Sequence, residues 1–167
     1  EVYDILSKSF DWEIRKVVAL YPNTPLKYLK NLRDDDDDDV KDAVAYRELP
    51  DEWREIDNDE KIDKLKEDEN IDNRIIEIFS DSNNSYIRSA TALCSNISSE
   101  IIEKLSYDNN DDVKDAVAYR ELPEEWRNLD VDEKIEKILA DESIEDNILQ
   151  IFSKSNSWQL RESVAKK

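Results

Sequence analysis

The 167 residues carry 43 acidic against 24 basic side chains, a formal net charge of −19, and the charged share (40%) exceeds the hydrophobic share (38%). A chain that acidic repels nucleic-acid phosphates and anionic membranes, which sets aside direct nucleic-acid binding and a membrane-surface role. Gly, His and Met are absent and Cys94 is the single cysteine, which removes Gly-rich phosphate loops, the commonest general base and zinc ligand, and any internal disulfide or Cys-rich metal site.

A mean hydropathy of −0.84 fits either a disordered chain or a thin stack with a narrow core. Regular helical spacing of the apolar residues, set out below, decides for the stack. No apolar run approaches the roughly 18 residues of a spanning helix, and no signal-peptide pattern is visible, so a cytoplasmic location is expected. The missing Met leads to the expectation that Glu1 lies inside a longer protein, with truncation at both ends.

Internal repetition dominates the chain. Val40 to Pro50 reads VKDAVAYRELP and so does Val113 to Pro123, an offset of 73 residues that needs no gap anywhere. Under that offset Ile14-Arg15 falls on Ile87-Arg88 and Leu160-Arg161, Trp53 on Trp126, Ile71 on Ile144, and Phe79 on Phe152. The copies run over 1–73 and 74–146, with a partial third over 147–167. A shorter period lies inside: helical patterns open at Ile14, Val40, Ile62, Ile87, Val113, Ile135 and Leu160, spaced 26, 22, 25, 26, 22 and 25 residues apart. Units of that length hold two short helices and their turns, about seven in all.

In chain order, Ile14, Val17, Val18 and Tyr21 lie at i, i+3, i+4 and i+7 and predict one helical face. Thr24-Pro25 reads as an N-cap followed by Pro at the first helical position, opening a second helix striped by Leu26, Leu29 and Leu32. Val40, Ala43 and Val44 predict the next first helix, with Asp38 and Asp39 as its caps; Asp111 and Asp112 repeat this before Val113. Pro50 starts a short turn of helix carrying Trp53 and Ile56. Asp57 and Glu60 form a capping-box pattern, repeated by Asp130 and Glu133. Ile75, Ile76 and Phe79, then Ile87, Ala90 and Leu93, then Ile101, Ile102 and Leu105, continue the stripes. No window alternates with period two, so the expected fold is all-α: an α/α solenoid, a right-handed superhelix of short helix pairs.

The run DWEIRKVVALYPNTPLKYLKNLRDD resembles the leucine-rich repeat variant family, a bacterial helical repeat of about this length related to HEAT and armadillo repeats. The likeness falls on Asp11, Ile14-Arg15, Val18-Ala19, Pro25, Leu29 and Leu32, then on Val40-Lys41, Val44-Ala45 and Pro50, and again on Val113-Lys114, Val117-Ala118 and Pro123. The units opening at Ile62 and Ile135 are shortened and lack the Val-Ala core. The resemblance implies a curved stack of helix pairs and carries no catalytic residues.

Six residues are candidate partner contacts. Tyr46-Arg47 and Tyr119-Arg120 follow an apolar helix and lie near its end, where the arginine also complements the helix dipole. Trp12 and Trp158 share one position whose third occupant is Ser85; a slot that accepts Ser is not deep core, so partial exposure is expected. Trp53 and Trp126 sit at core spacing with Leu49 and Ile56, and with Leu122 and Leu129. The run Asp34 to Asp39 lacks the Gly and the twelfth-position Glu of a calcium loop and reads as a solvated loop with cap residues. Cys94 reads as a filler of a semi-buried slot.

No catalytic residue, metal or cofactor is expected. The leading expectation is a protein-interaction scaffold whose acidic surface docks a basic protein. A nucleic-acid mimic is the alternative. Seven units at helix spacings of about 8–10 Å span about 60–70 Å, or about one net negative charge per 3–4 Å against one per about 1.7 Å in duplex DNA. A passive spacer within a larger protein is the third.

Overall fold

The computed structural model describes residues 2–68 and 70–167; among them the chain forms fourteen helices and no strand. The helices are α1 (Val2–Leu6), α2 (Trp12–Leu20), α3 (Leu26–Leu32), α4 (Asp38–Tyr46), α5 (Asp51–Arg54), α6 (Asn58–Glu67) and α7 (Asn73–Ser80). They continue as α8 (Ser85–Leu93), α9 (Ser99–Ser106), α10 (Asp111–Tyr119), α11 (Glu124–Arg127), α12 (Val131–Ala140), α13 (Asp146–Ser153) and α14 (Trp158–Ala165). The fold is all-α, and among the described residues no helix is long and apolar enough to cross a membrane.

Helices this short are marginal alone, and most of their starts carry a side-chain cap. Asp11 accepts from the Glu13 N–H, Asp72 from that of Arg74, Asn84 from that of Tyr86, and Ser98 from that of Ile101. Complete capping boxes open α6 (Asp57 with Glu60) and α12 (Asp130 with Glu133), as their spacing predicts. Each such cap contributes about 1 kcal/mol.

Three starts differ from the sequence expectation. Asp37 caps α4 and Asn110 caps α10, each accepting from two backbone N–H groups, while Asp38, Asp39, Asp111 and Asp112 occupy the first helical turn. Those four act through the helix dipole instead. Thr24 does not cap α3 either. Its buried hydroxyl donates to the Val18 carbonyl at 2.6 Å. The i+4 residue from Val18 is Pro22, which has no N–H to offer, so the threonine supplies the missing donor.

Packing is local. The extensive interhelix contacts join elements that are adjacent or one apart in chain order: α2 with α4, α6 with α8, α8 with α10, and α12 with α14. Three apolar clusters follow along the chain. The first joins Val18, Ala19, Leu32, Val40, Ala43 and Val44. The central and largest includes Leu49, Trp53, Leu65, Phe79, Ile87, Leu105 and Val113. The third holds Leu122, Trp126, Ile138, Ile148, Phe152 and Leu160. Fully covering each aliphatic side chain contributes about 1.5–3 kcal/mol, and no single helix pair covers its own.

Candidate functional site

The arginines of the duplicated motif point backward along the chain. Arg47 donates to the carbonyls of Ala19, Tyr21 and Pro22, at 3.2, 3.1 and 3.0 Å, and Arg120 donates to those of Ala92 and Cys94, both at 2.7 Å. These carbonyls lie at the C-terminal ends of α2 and α8, where no intrahelical N–H reaches them. Each arginine therefore caps the helix about 26–28 residues upstream, not its own.

The tyrosines point forward. The Tyr46 hydroxyl lies 2.7 Å from that of Ser82, and the Tyr119 hydroxyl 2.8 Å from that of Ser155. Both serines donate to an aspartate, Ser82 to Asp42 at 3.3 Å and Ser155 to Asp115 at 2.6 Å. Those carboxylates also accept the backbone N–H of Asn83 and Asn156. The Tyr119 hydroxyl also donates to Asp115 itself, at 3.3 Å. Burial and the Asp115 charge push the Tyr119 hydroxyl up to about 12, and burial raises Tyr46 and Asp42 in the same way. Lys61 and Lys134, lowered by burial, close each joint by donating to the carbonyls of Ile56 and Leu129, with their ammonium groups over the Tyr46 and Tyr119 rings. Four of the six candidate contacts are thus engaged inside the fold.

A third set grips the turns. Arg15, Arg88 and Arg161 each donate to the two carbonyls five and six residues upstream: Ser9 and Phe10, Ser82 and Asn83, Ser155 and Asn156. Arg15 also makes a bidentate pair with Asp35, both bonds 2.8 Å, and Arg88 does so with Asp108 at 2.8 and 2.9 Å. Burial disfavours the charge on Asp35 and Asp108, but the arginine hydrogen bond and a backbone N–H outweigh it, and both carboxyls are held below the usual range. One member of the aspartate run is therefore a buried ion-pair partner rather than a solvated loop residue. The Arg15-Arg88-Arg161 alignment was visible in the sequence; the partner 20 residues on was not.

Trp12 and Trp158 are the candidates that stay open to solvent, 37% and 62% exposed. Lys16 sits over the Trp12 ring, 5.4 Å from its centroid. Trp158 instead borders an open groove of about 740 Å³ with Asp112, Asp115, Asp130, Asp132, Tyr119 and Val131 among its lining residues. Four carboxylates and no lysine or arginine line it. Two of them are held: Asp115 as above, and Asp130 by the Glu133 N–H. Asp112 and Asp132 are exposed. A larger groove of about 1060 Å³ has Arg33, Lys41, Arg88 and Lys104 facing Asp38, Asp42, Asp81 and Asp108. Its charges are largely paired, as in Lys41–Asp38, Arg88–Asp108 and Lys104–Asp81.

Trp53 and Trp126 are buried against Phe79 and Phe152, with ring centroids 5.3 and 5.5 Å apart. Cys94 is buried, and burial pushes its thiol up to about 11, the opposite of an activated nucleophile. Searches of protein-family models, curated proteins and solved structures return no match to this chain.

Proposed function

We propose that this chain is a non-enzymatic, cytoplasmic protein-interaction scaffold that docks a Lys/Arg-rich segment of another protein in the groove beside Trp158. The observation that carries the reading is the composition of that groove, four carboxylates with no basic residue and an exposed indole at its rim. An ammonium or guanidinium group entering there meets carboxylates and an aromatic face together. The aromatic contact contributes about 0.5–1 kcal/mol at an exposed site, and the carboxylates mainly speed encounter and select sign.

The scaffold itself is read as a right-handed α/α solenoid of about seven units, akin to leucine-rich repeat variant and HEAT repeats. Support comes from the contacts that link near neighbours in chain order and from side-chain bonds that recur at a 73-residue offset. Such a stack grows lengthwise and presents flanks rather than an enclosed cavity. The nucleic-acid mimic is disfavoured because the larger groove interleaves four basic side chains with its acids.

The test is a titration with a Lys/Arg-rich peptide at rising salt. Binding should weaken as salt rises, and Trp158→Ala and the pair Asp112→Asn/Asp132→Asn should each weaken it at least threefold without moving the melting midpoint. Binding that ignores salt, or that survives all three substitutions, would sink the reading.

A further inference from the structure

Of the four tryptophans in the chain, three carry a lysine of this same molecule on the ring. Lys16 lies 5.4 Å from the Trp12 centroid, Lys64 4.4 Å from that of Trp53, and Lys137 4.3 Å from that of Trp126. Each of those ammonium groups also has a carboxylate beside it: Asp39 at 3.8 Å, Glu52 at 3.9 Å and Glu125 at 4.0 Å. An ammonium shared between an indole and a carboxylate thus recurs through the fold.

Trp158 breaks the pattern. Among the described residues it is the one indole with no ammonium on its ring, and at 62% it is the most exposed of the four. The cause is local. On α2 the lysine stands four residues after the tryptophan, one helical turn on; on α14 that position holds Glu162, which pairs with Lys166 instead. The carboxylate half is present, because Asp112 and Asp132 line the groove and are exposed. A following helical unit leaves this face open. At the counterpart 73 residues upstream, α9 and α10 are seated on α8. There Asp57, Asn58, Asp59 and Tyr86, in the places of Asp130, Val131, Asp132 and Gln159, stay exposed, and Ser85, in the place of Trp158, is half-buried.

The fold also separates its two kinds of basic side chain. Every ring–cation contact among the described residues is made by lysine. Arg15, Arg47, Arg88, Arg120 and Arg161 direct their N–H groups at backbone carbonyls. A compact ammonium fits between a ring face and a carboxylate, whereas a planar guanidinium is satisfied by acceptors arrayed in its plane. We propose that the groove beside Trp158 is a lysine subsite. It takes the ammonium group of one lysine side chain of the basic partner protein on the indole face, with Asp112 and Asp132 as counterions, and discriminates against arginine. This rests on the reading of that groove as the docking site and adds which residue enters it. Acetylating that lysine removes the charge and with it the contact.

The test titrates the full chain with end-blocked Ser-rich peptides of equal length that differ only in carrying lysine, arginine or Nε-acetyl-lysine, and with spermidine. The lysine peptide should bind at least about threefold tighter than the arginine peptide and at least about tenfold tighter than the acetylated one. Glu162→Lys places an ammonium one turn from Trp158, as Lys16 stands to Trp12, and should lower lysine-peptide affinity at least about tenfold. Glu162→Gln should leave that affinity within about twofold. Both variants should melt within about 2 °C of the parent, since Glu162 is exposed. Equal or tighter binding of the arginine peptide, undiminished binding of the acetylated one, or parent-like binding by Glu162→Lys overturns this proposal and leaves the docking reading standing. Failure of both the lysine and the arginine peptide to bind overturns the two together. Tighter binding of spermidine than of the lysine peptide also overturns the proposal, by making a free polyamine the occupant.

Discussion

The eleven residues from Val40 to Pro50 and from Val113 to Pro123 are identical, and the two regions around them have diverged selectively. Buried polar joints are kept in both: Asp42 with Ser82 and Asn83, Asp115 with Ser155 and Asn156, and the arginine caps from Arg47 and Arg120. Surface ion pairs are kept only in part: Lys41–Asp38 and Lys64–Glu52 recur as Lys114–Asp111 and Lys137–Glu125, but the pairs of Glu48 do not. Glu48 binds both Arg33 and Arg74, whereas the positions 73 residues on from those arginines hold Ser106 and Asn147, leaving Glu121 without either. The difference follows from cost. A buried polar group stripped of its partner loses about 1–3 kcal/mol, while an exposed ion pair contributes about 0–1 kcal/mol. Sequence drift between duplicates is therefore tolerated outside the joints.

The largest way to break the symmetry is through the aromatic at each joint. Phe79→Ala should cost about 3–5 kcal/mol in urea unfolding, and Phe152→Ala should fall at the low end of that range. The central cluster spans α5 to α10, while the third ends with α14. Equal costs would show that the joints are energetically independent of their neighbours.

Next come the turn-gripping arginines. Arg88→Ala leaves Asp108 buried without its cation and should cost about 3–5 kcal/mol. Arg161→Ala removes only bonds to carbonyls and should cost about 1–3 kcal/mol. Denaturation midpoints of the two variants, measured side by side, check the ranking.

Acid sharpens the comparison further. Asp35 and Asp108 are held below the usual range in the fold, so the unfolded chain, with carboxyls near 3.9, binds more protons on acidification. Their contribution is complete above about pH 5 and is lost as pH falls through about 4 and below. Asp42, raised by burial, runs oppositely: it favours the fold when protonated, and that part is lost as pH rises through its folded value. Unfolding midpoints between pH 7 and pH 3 should fall less for Asp35→Asn/Asp108→Asn than for the parent. The smallest effect belongs to the surface: Glu48→Ala should cost under about 1 kcal/mol, and Glu121→Ala should be neutral within measurement.

Most helix positions, the duplication and most of its core side chains were legible in the residues alone, because a period of 3.6 and a repeated eleven-residue string are local facts; Ile14, Val17, Tyr21 and Leu26, which the spacing places on apolar stripes, are exposed. Trp53, Trp126 and Phe79 are buried where their spacing predicts, and both capping boxes form where the Asp and Glu predict them. Trp12 and Trp158 are exposed, as the Ser85 in their shared slot indicates.

Tertiary structure decided what the polar side chains hold. Nothing local distinguishes an arginine that caps its own helix from Arg47, whose guanidinium ends on carbonyls about 26 residues upstream. Nothing in a run of six aspartates marks Asp35 as the one that turns inward to Arg15. Apolar burial is proportional to area and nearly indifferent to partner, so its periodicity survives in the sequence. A hydrogen bond requires one donor and one acceptor within about 3 Å, and only the packed chain brings residues 20 to 41 apart to that distance.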